Sequence, residues 1–165
     1  MRRSPGDDRT DERRSSKPCG QRLQEILNLV IAVDTNVLVR LLVKDDAAQT
    51  RKVVELFKQL DTAGETAFVS DVTVCELAWV LSAAYGFDRK QIAGALRQVV
   101  AGRQLTFDAT DRLSHALDAF EVGRADLADY VILEHTKAAG CDAVVTFDKA
   151  LLKEAFFRAP GSSDL

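Results

Sequence analysis

The reading of the fold starts at Val30-Ile31-Ala32-Val33-Asp34-Thr35-Asn36-Val37-Leu38-Val39-Arg40-Leu41-Leu42. Four apolar residues in a row, two of them β-branched valines, read as a short buried strand over Val30–Val33. An acid follows at once, and the pattern then changes to a helical one over Asn36–Val43. A strand that hands over to a helix through an acidic turn is the opening of a parallel α/β arrangement.

The alternation continues along the chain. Asp46 to Leu60 places Val53, Val54, Phe57 and Leu60 at helical spacing, and Ala67-Phe68-Val69 reads as a second strand. Ser70 or Asp71 caps a helix through Ala84, ended by Gly86. A helix over Arg89–Ala101 turns Ile92, Leu96 and Val99 inward, and Leu105–Phe107 is a short strand. Asp108 is expected to cap a helix over Asp111–Phe120, and Asp126 to open one through Ala139, closed by Gly140. Ala143–Thr146 is the last clear strand, and Lys149–Phe156 a last short helix. The fold class is therefore α/β, with a mainly parallel central sheet flanked by helices.

The chain has 165 residues, of which 47% are hydrophobic and 28% charged, enough for one domain with its own core. Charge is unevenly placed. Residues 2 to 22 hold six Arg and one Lys against three Asp and one Glu, a net of +3. Residues 23 to 165 hold 15 basic and 21 acidic side chains, a net of −6, which argues against simple electrostatic binding of nucleic acid. The opening segment lacks apolar periodicity, so residues 1 to 28 are expected to be a disordered leader, either a basic arm for RNA or a segment without a role. Val30 is then a candidate initiator. The domain is expected to span residues 29 to 158, with a tail over 159–165. Cys19, Cys75 and Cys141 are odd in number and widely spaced, which indicates neither a disulfide framework nor a zinc site. With no apolar run of membrane-spanning length and no secretory signal pattern, the expected compartment is the reducing cytoplasm.

Ligands of open α/β sheets gather beyond the carboxyl ends of the strands. Asp34 follows the first strand and Asp148 the last, while Glu76 and Asp129 reach the same rim from helices. Each has a structural reading beside the chemical one. Asp34 and Asp148 can cap the helices after them, and Asp126 with Asp129 forms a capping pair. Glu76 lies in Val72-Thr73-Val74-Cys75-Glu76-Leu77-Ala78-Trp79-Val80-Leu81, among mostly apolar neighbours. A buried carboxylate there would need a partner or a metal. Converging carboxylates repel, and a divalent cation relieves them; oxygen-only donors suit Mg²⁺ or Mn²⁺. Such an ion activates water and stabilises a phosphoryl group under attack. His115 and His135 read as surface residues, and Trp79 reads as core. No glycine-rich phosphate loop and no nucleophile elbow is present.

Three stretches, VIAVDTNVLVRLLVKDD, SDVTVCELAWVL and ADLADYVILEHTKAAGCDAVVTFDKAL, together resemble PIN-domain ribonucleases, in particular VapC-like toxins of toxin-antitoxin pairs. The resemblance covers about residues 30 to 153 and implies a PIN-like fold and a Mg²⁺- or Mn²⁺-dependent endoribonuclease. Residue by residue, it places the family's acids on Asp34, Glu76, Asp129 and Asp148, with Asp126 as an additional contributor. Thr35, Asn36 and Thr146 match polar positions that would orient these carboxylates, or would cap helices and turns. Arg40 matches a position suited to a phosphate, an antitoxin carboxylate or a solvated salt bridge. The implied partners are an RNA substrate, a VapB-like antitoxin and a second copy of the chain. Two alternatives stay open: a PIN fold that binds RNA or protein without cutting, and a Mg²⁺-dependent phosphohydrolase. The latter needs a second Asp where Asn36 stands.

Overall fold

The computed structural model describes residues 31–162. The leader expected over residues 1 to 28, Val30 and the last three residues of the tail lie outside the described residues.

Strand β1 (Ile31–Ala32) leads into α1 (Thr35–Leu42) and then α2 (Ala47–Ala63). Strand β2 (Ala67–Val69) is followed by α3 (Asp71–Ala83) and α4 (Arg89–Val100). Strand β3 (Leu105–Phe107) leads to α5 (Thr110–Val122) and α6 (Leu127–Ala138). Strand β4 (Val144–Val145), a 3₁₀ turn (Leu151–Lys153) and strand β5 (Phe157–Arg158) complete the described chain. Strands β1, β2 and β3 form a parallel sheet in that order, with Ile31 opposite Ala67 and Ala67 opposite Leu105. The Val33 amide donates to the Phe68 carbonyl at 3.0 Å, which carries the β1–β2 ladder up to the residue before Asp34.

Helix α3 is the hub, packed against α1, α4 and α6. Its buried residues Val74, Leu77, Ala78 and Leu81 recur at the spacing of one helical face. They join Leu38 of α1, Leu96 of α4, Leu117 of α5 and Tyr130 of α6 in one core. A buried Leu contributes roughly 1.5–3 kcal/mol relative to leaving it exposed, so this single face fixes the helix in place. The opposite stripe of α3, at offsets of four and three, carries Val72, Glu76 and Trp79 toward solvent.

Three expectations need correction. The cap of α5 is Ala109, with no side-chain hydrogen bond, because the helix starts at Thr110 and Asp108 stands one residue too early. The helix expected over Lys149–Phe156 is only the 3₁₀ turn. The Lys153 and Glu154 amides bond three residues back, to Ala150 and Leu151 at 3.2 and 2.9 Å. Phe157 is then drawn into a ladder opposite Val144, which makes a strand, β5, that the sequence pattern did not announce. Trp79, read as core, is 70% exposed.

Candidate active site

Asp34 is the N-cap of α1 and lies just beyond β1. One of its oxygens accepts the Val37 amide at 3.1 Å. Thr35 is the one polar residue classed as buried among the described residues, and its hydroxyl donates to a Glu76 carboxylate oxygen. That bond joins the end of β1 to α3 and ties Glu76 to the residue beside Asp34. The environment of Glu76 differs from expectation. It is exposed rather than buried, because the period of α3 turns the apolar positions 74, 77, 78 and 81 inward and leaves position 76 on the outer stripe. The argument that burial forces a partner on it therefore fails, and the Thr35 hydroxyl is the contact that orients it.

A second group forms at the start of α6. Asp126 caps the helix, and its amide donates to an Asp129 oxygen at 3.1 Å. Partial burial pushes the Asp129 carboxyl above its ordinary value, and the charges of Asp126 and Asp148 add to that. Asp148 is exposed. Its amide donates to the Thr146 hydroxyl at 3.0 Å, while its carboxylate accepts the amides of Ala150 and Leu151 at 2.6 and 3.3 Å. Thr146 is held by its own amide on the Arg158 carbonyl at 2.9 Å, so β5 supports the turn that carries Asp148.

Cys75 stands between the two groups. Burial first, then the charges of Asp71 and Asp129, raise its thiol to about 11, so it is neutral near pH 7. The structure thus brings Thr35 to Glu76, and sets Asp129 within electrostatic reach of both Asp126 and Asp148. It does not gather three of the acids tightly: among the described residues, no three His, Cys, Asp or Glu side chains are close enough to hold one ion.

The supporting residues divide. Asn36 is exposed on the first turn of α1. Arg40 is engaged: it donates to Gln49 and pairs with Asp45, both at 2.8 Å, and Asp45 also accepts the Tyr85 hydroxyl at 2.7 Å. The salt-bridge reading of Arg40 describes what is seen. His115 and His135 lie at the surface, the latter against Asp71. Two exposed aromatic rings were missed by the sequence reading, Trp79 and Phe147, the latter 86% exposed beside Asp148. Positions 72, 76 and 79 share one helical face, but Val72 and Trp79 are apolar, so the period alone did not mark that face as the outer one.

The donors fit a hard divalent cation by their chemistry. Asp34, Glu76, Asp129 and Asp148 are all oxygen donors, and each holds one oxygen in a hydrogen bond to the protein. Among the described residues, the second oxygen of each accepts no hydrogen bond, and none of the four is in an ion pair.

The PIN domain family model matches residues 31–156. The chain belongs to the PIN domain family. PIN domains are in general nucleases, and hence hydrolases, and they generally use divalent metals. Helices flanking a parallel sheet agree with the PIN fold. No curated protein matches this PIN domain. No helix among its described residues is long and apolar enough to cross a membrane.

Proposed function

We propose that this PIN domain is a divalent-metal-dependent endoribonuclease, the toxin of a toxin-antitoxin pair, with Asp34, Glu76, Asp129 and Asp148 as its metal-binding acids. One observation carries the reading: each of the four carboxylates is held through one oxygen, and among the described residues its other oxygen accepts no hydrogen bond, as suits a preoriented ligand. When bound, Mg²⁺ or Mn²⁺ supplies the positive charge that activates water and offsets the charge on the phosphoryl group under attack.

The chain's own residues have defined tasks. The Val37 amide aims Asp34, the Thr35 hydroxyl aims Glu76, and the Asp126 amide aims Asp129. Thr146 and the amides of Ala150 and Leu151 hold the turn of Asp148. Asp126 contributes negative charge that strengthens attraction for a cation. Arg40, in the last turn of α1, is bound to Asp45 and Gln49. A VapB-like antitoxin that presents Arg or Lys to the same carboxylates would neutralise them in place of the ion. A homodimer and a cytoplasmic location belong to the same reading.

A second reading, a PIN fold that binds RNA or protein without cutting it, draws on the loose spacing of the acids. One experiment separates the two. Asp34→Asn keeps the helix cap, since Asn caps as well as Asp. Cleavage of a mixed RNA pool is measured with Mn²⁺ and with EDTA, together with melting curves in both conditions. The nuclease reading expects parental cleavage with Mn²⁺ alone, and a folded variant that neither cuts nor is stabilised by Mn²⁺. Cleavage by Asp34→Asn within a few-fold of the parent would remove the central residue of the proposal.

A further inference from the structure

The turn between α5 and α6 and the 3₁₀ turn after Asp148 face each other across an open cleft of about 410 Å³, lined by Val122, Gly123, Arg124, Ala150, Lys153 and Glu154. Both walls lead to the acids. Arg124 lies two residues before Asp126, and the Ala150 amide donates to Asp148 at 2.6 Å. The Tyr130 hydroxyl ties the walls together, since it accepts the Arg124 amide at 3.1 Å and donates to Glu154 at 2.7 Å. The cleft's volume lies within the roughly 300–1,000 Å³ of ligand pockets, which is room for one phosphate with its sugar.

Charge narrows the occupant. Residues 23 to 165 carry a net of −6, so a polyanion needs a local patch of opposite sign to approach the carboxylates. Several cations of the fold are committed elsewhere. Arg40 pairs with Asp45, Arg89 donates to the Phe120 and Ala125 carbonyls, and Lys137 pairs with Glu134. Arg124 and Lys153 are exposed, and among the described residues their side chains make no hydrogen bond and no ion pair. Glu154 is the one acid in the cleft lining, and one of its oxygens already accepts the Tyr130 hydroxyl. Two cations against one acid leave the cleft positive beside an acidic site.

We infer that the cleft between Arg124 and Lys153 binds a phosphate of the RNA strand next to the one that is cut, so that the strand leaves the acids toward the α5–α6 turn. The inference rests on the nuclease reading for the cut, and on the two cations for the contact. Arg124 offers a planar fork to two phosphate oxygens, and Lys153 a point charge. Phosphate contacts carry no base preference, so the cleft sets the path of the strand and not its sequence. On a single strand, each phosphate neutralised contributes about −0.7 to the slope of log affinity against log salt. Losing both cations should therefore make the slope shallower by about 0.7. At the strength of exposed ion pairs, it should also weaken binding roughly 2- to 30-fold at low salt.

The full chain carrying Asp34→Asn, in EDTA, is tested by filter binding with single-stranded oligoribonucleotides of two unrelated sequences over a range of KCl. In that background, Arg124→Gln, Lys153→Gln and their combination are compared with Lys52→Gln, which removes the same charge from the exposed face of α2. Melting curves of the same samples check that each variant is folded; if the double variant is not, the single variants carry the test, each with part of the loss. The expected result is a loss in the double variant that is equal for both sequences, a slope shallower by about 0.7, and no change for Lys52→Gln. The same loss with Lys52→Gln would overturn the cleft, because net charge alone would then be acting. Unchanged affinity and slope in the double variant, with Mn²⁺-dependent cleavage by the parent intact, would overturn the cleft and leave the nuclease reading standing. The expected losses without any Mn²⁺-dependent cleavage by the parent would support the phosphate site and sink the nuclease reading. Absence of RNA binding overturns the cleft too. So does poly-glutamate that competes with the RNA in the Asp34→Asn chain and not in the double variant, because an acidic protein segment would then be the occupant.

Discussion

Gly123 joins α5 to α6, and replacing it with alanine tests the packing behind Asp126 and Asp129. Its φ of −82° and ψ of −168° are open to any residue, so the cost comes from contact and not from backbone strain. A Cβ there would stand 1.7 Å from the Tyr130 hydroxyl oxygen, 2.6 Å from its Cζ and 2.8 Å from the Ala119 carbonyl. To restore ordinary contact, the ring must retreat by about 2 Å, since carbon atoms rest roughly 3.5–4.0 Å apart. Tyr130 is 1% exposed and packed in the core. Its hydroxyl donates to Glu154 at 2.7 Å and accepts the Arg124 and Ala125 amides at 3.1 and 3.4 Å. Retreat breaks these bonds. Overpacking costs about 1–3 kcal/mol, and each buried donor left unpaired about as much again. A total of about 4 kcal/mol, against a stability of roughly 5–15 kcal/mol, lowers Tm by about 15 °C in a domain of this size. Calorimetry or circular dichroism on Gly123→Ala, Tyr130→Phe and the double variant measures it. The double variant removes the atom at 1.7 Å, so its loss should fall short of the two single losses added together by about 1 kcal/mol or more. A Tm drop under about 3 °C for Gly123→Ala, or strict additivity, would refute the close approach.

Two further outcomes follow from the site. Thr35→Val keeps the volume and removes the donor to Glu76, so stability should fall by only about 1 kcal/mol, while Mn²⁺ affinity falls about 10- to 100-fold. A Mn²⁺ titration followed by calorimetry checks this, and unchanged affinity would mean that Thr35 does not orient Glu76. The Cys75 thiol has an ordinary value of 9.0 and is raised to about 11, so at pH 8 iodoacetamide should modify it at least about tenfold more slowly than the exposed Cys141. Because the folded thiol keeps a proton that the unfolded one gives up, its contribution to stability is full below pH 9.0 and is lost as pH rises through about 11. Peptide mass analysis of timed samples reads the labelling, and equal rates at the two cysteines would refute the burial account.

Much of this architecture was legible in the sequence because it rests on local signals. The apolar run at Ile31-Ala32-Val33, the cap at Ser70 and the left-handed glycines Gly86 and Gly140 all act within a few residues of themselves. What escaped depends on distant partners. Strand β5 has two residues, too few to show a period, and exists because Val144 is opposite it. The exposure of Glu76 and Trp79 was hidden by composition, since α3 is apolar on nearly every side and only its neighbours α1, α4 and α6 decide which face is covered. The four acids could be named from their positions and from the family resemblance. The local bonds of Asp34, Asp148 and the pair Asp126–Asp129 follow from capping, whereas the Thr35–Glu76 bond joins residues 41 positions apart and could not be read.

The hydroxyl of Tyr130 also has a mechanical consequence. It bonds at once to the α5–α6 turn and to Glu154, which follows the turn that carries Asp148. The C-terminal ladder is therefore not a detachable appendage. A chain cut in the exposed stretch at Cys141–Asp142 would leave the larger fragment with a buried tyrosine oxygen and no acceptor, and the smaller fragment with too little apolar surface to fold alone. The larger piece would keep most of the core but lose the stability that this bond contributes, about 1–3 kcal/mol. In this domain one phenolic oxygen ties the segment that follows Asp148 to the turn before the helix that carries Asp129.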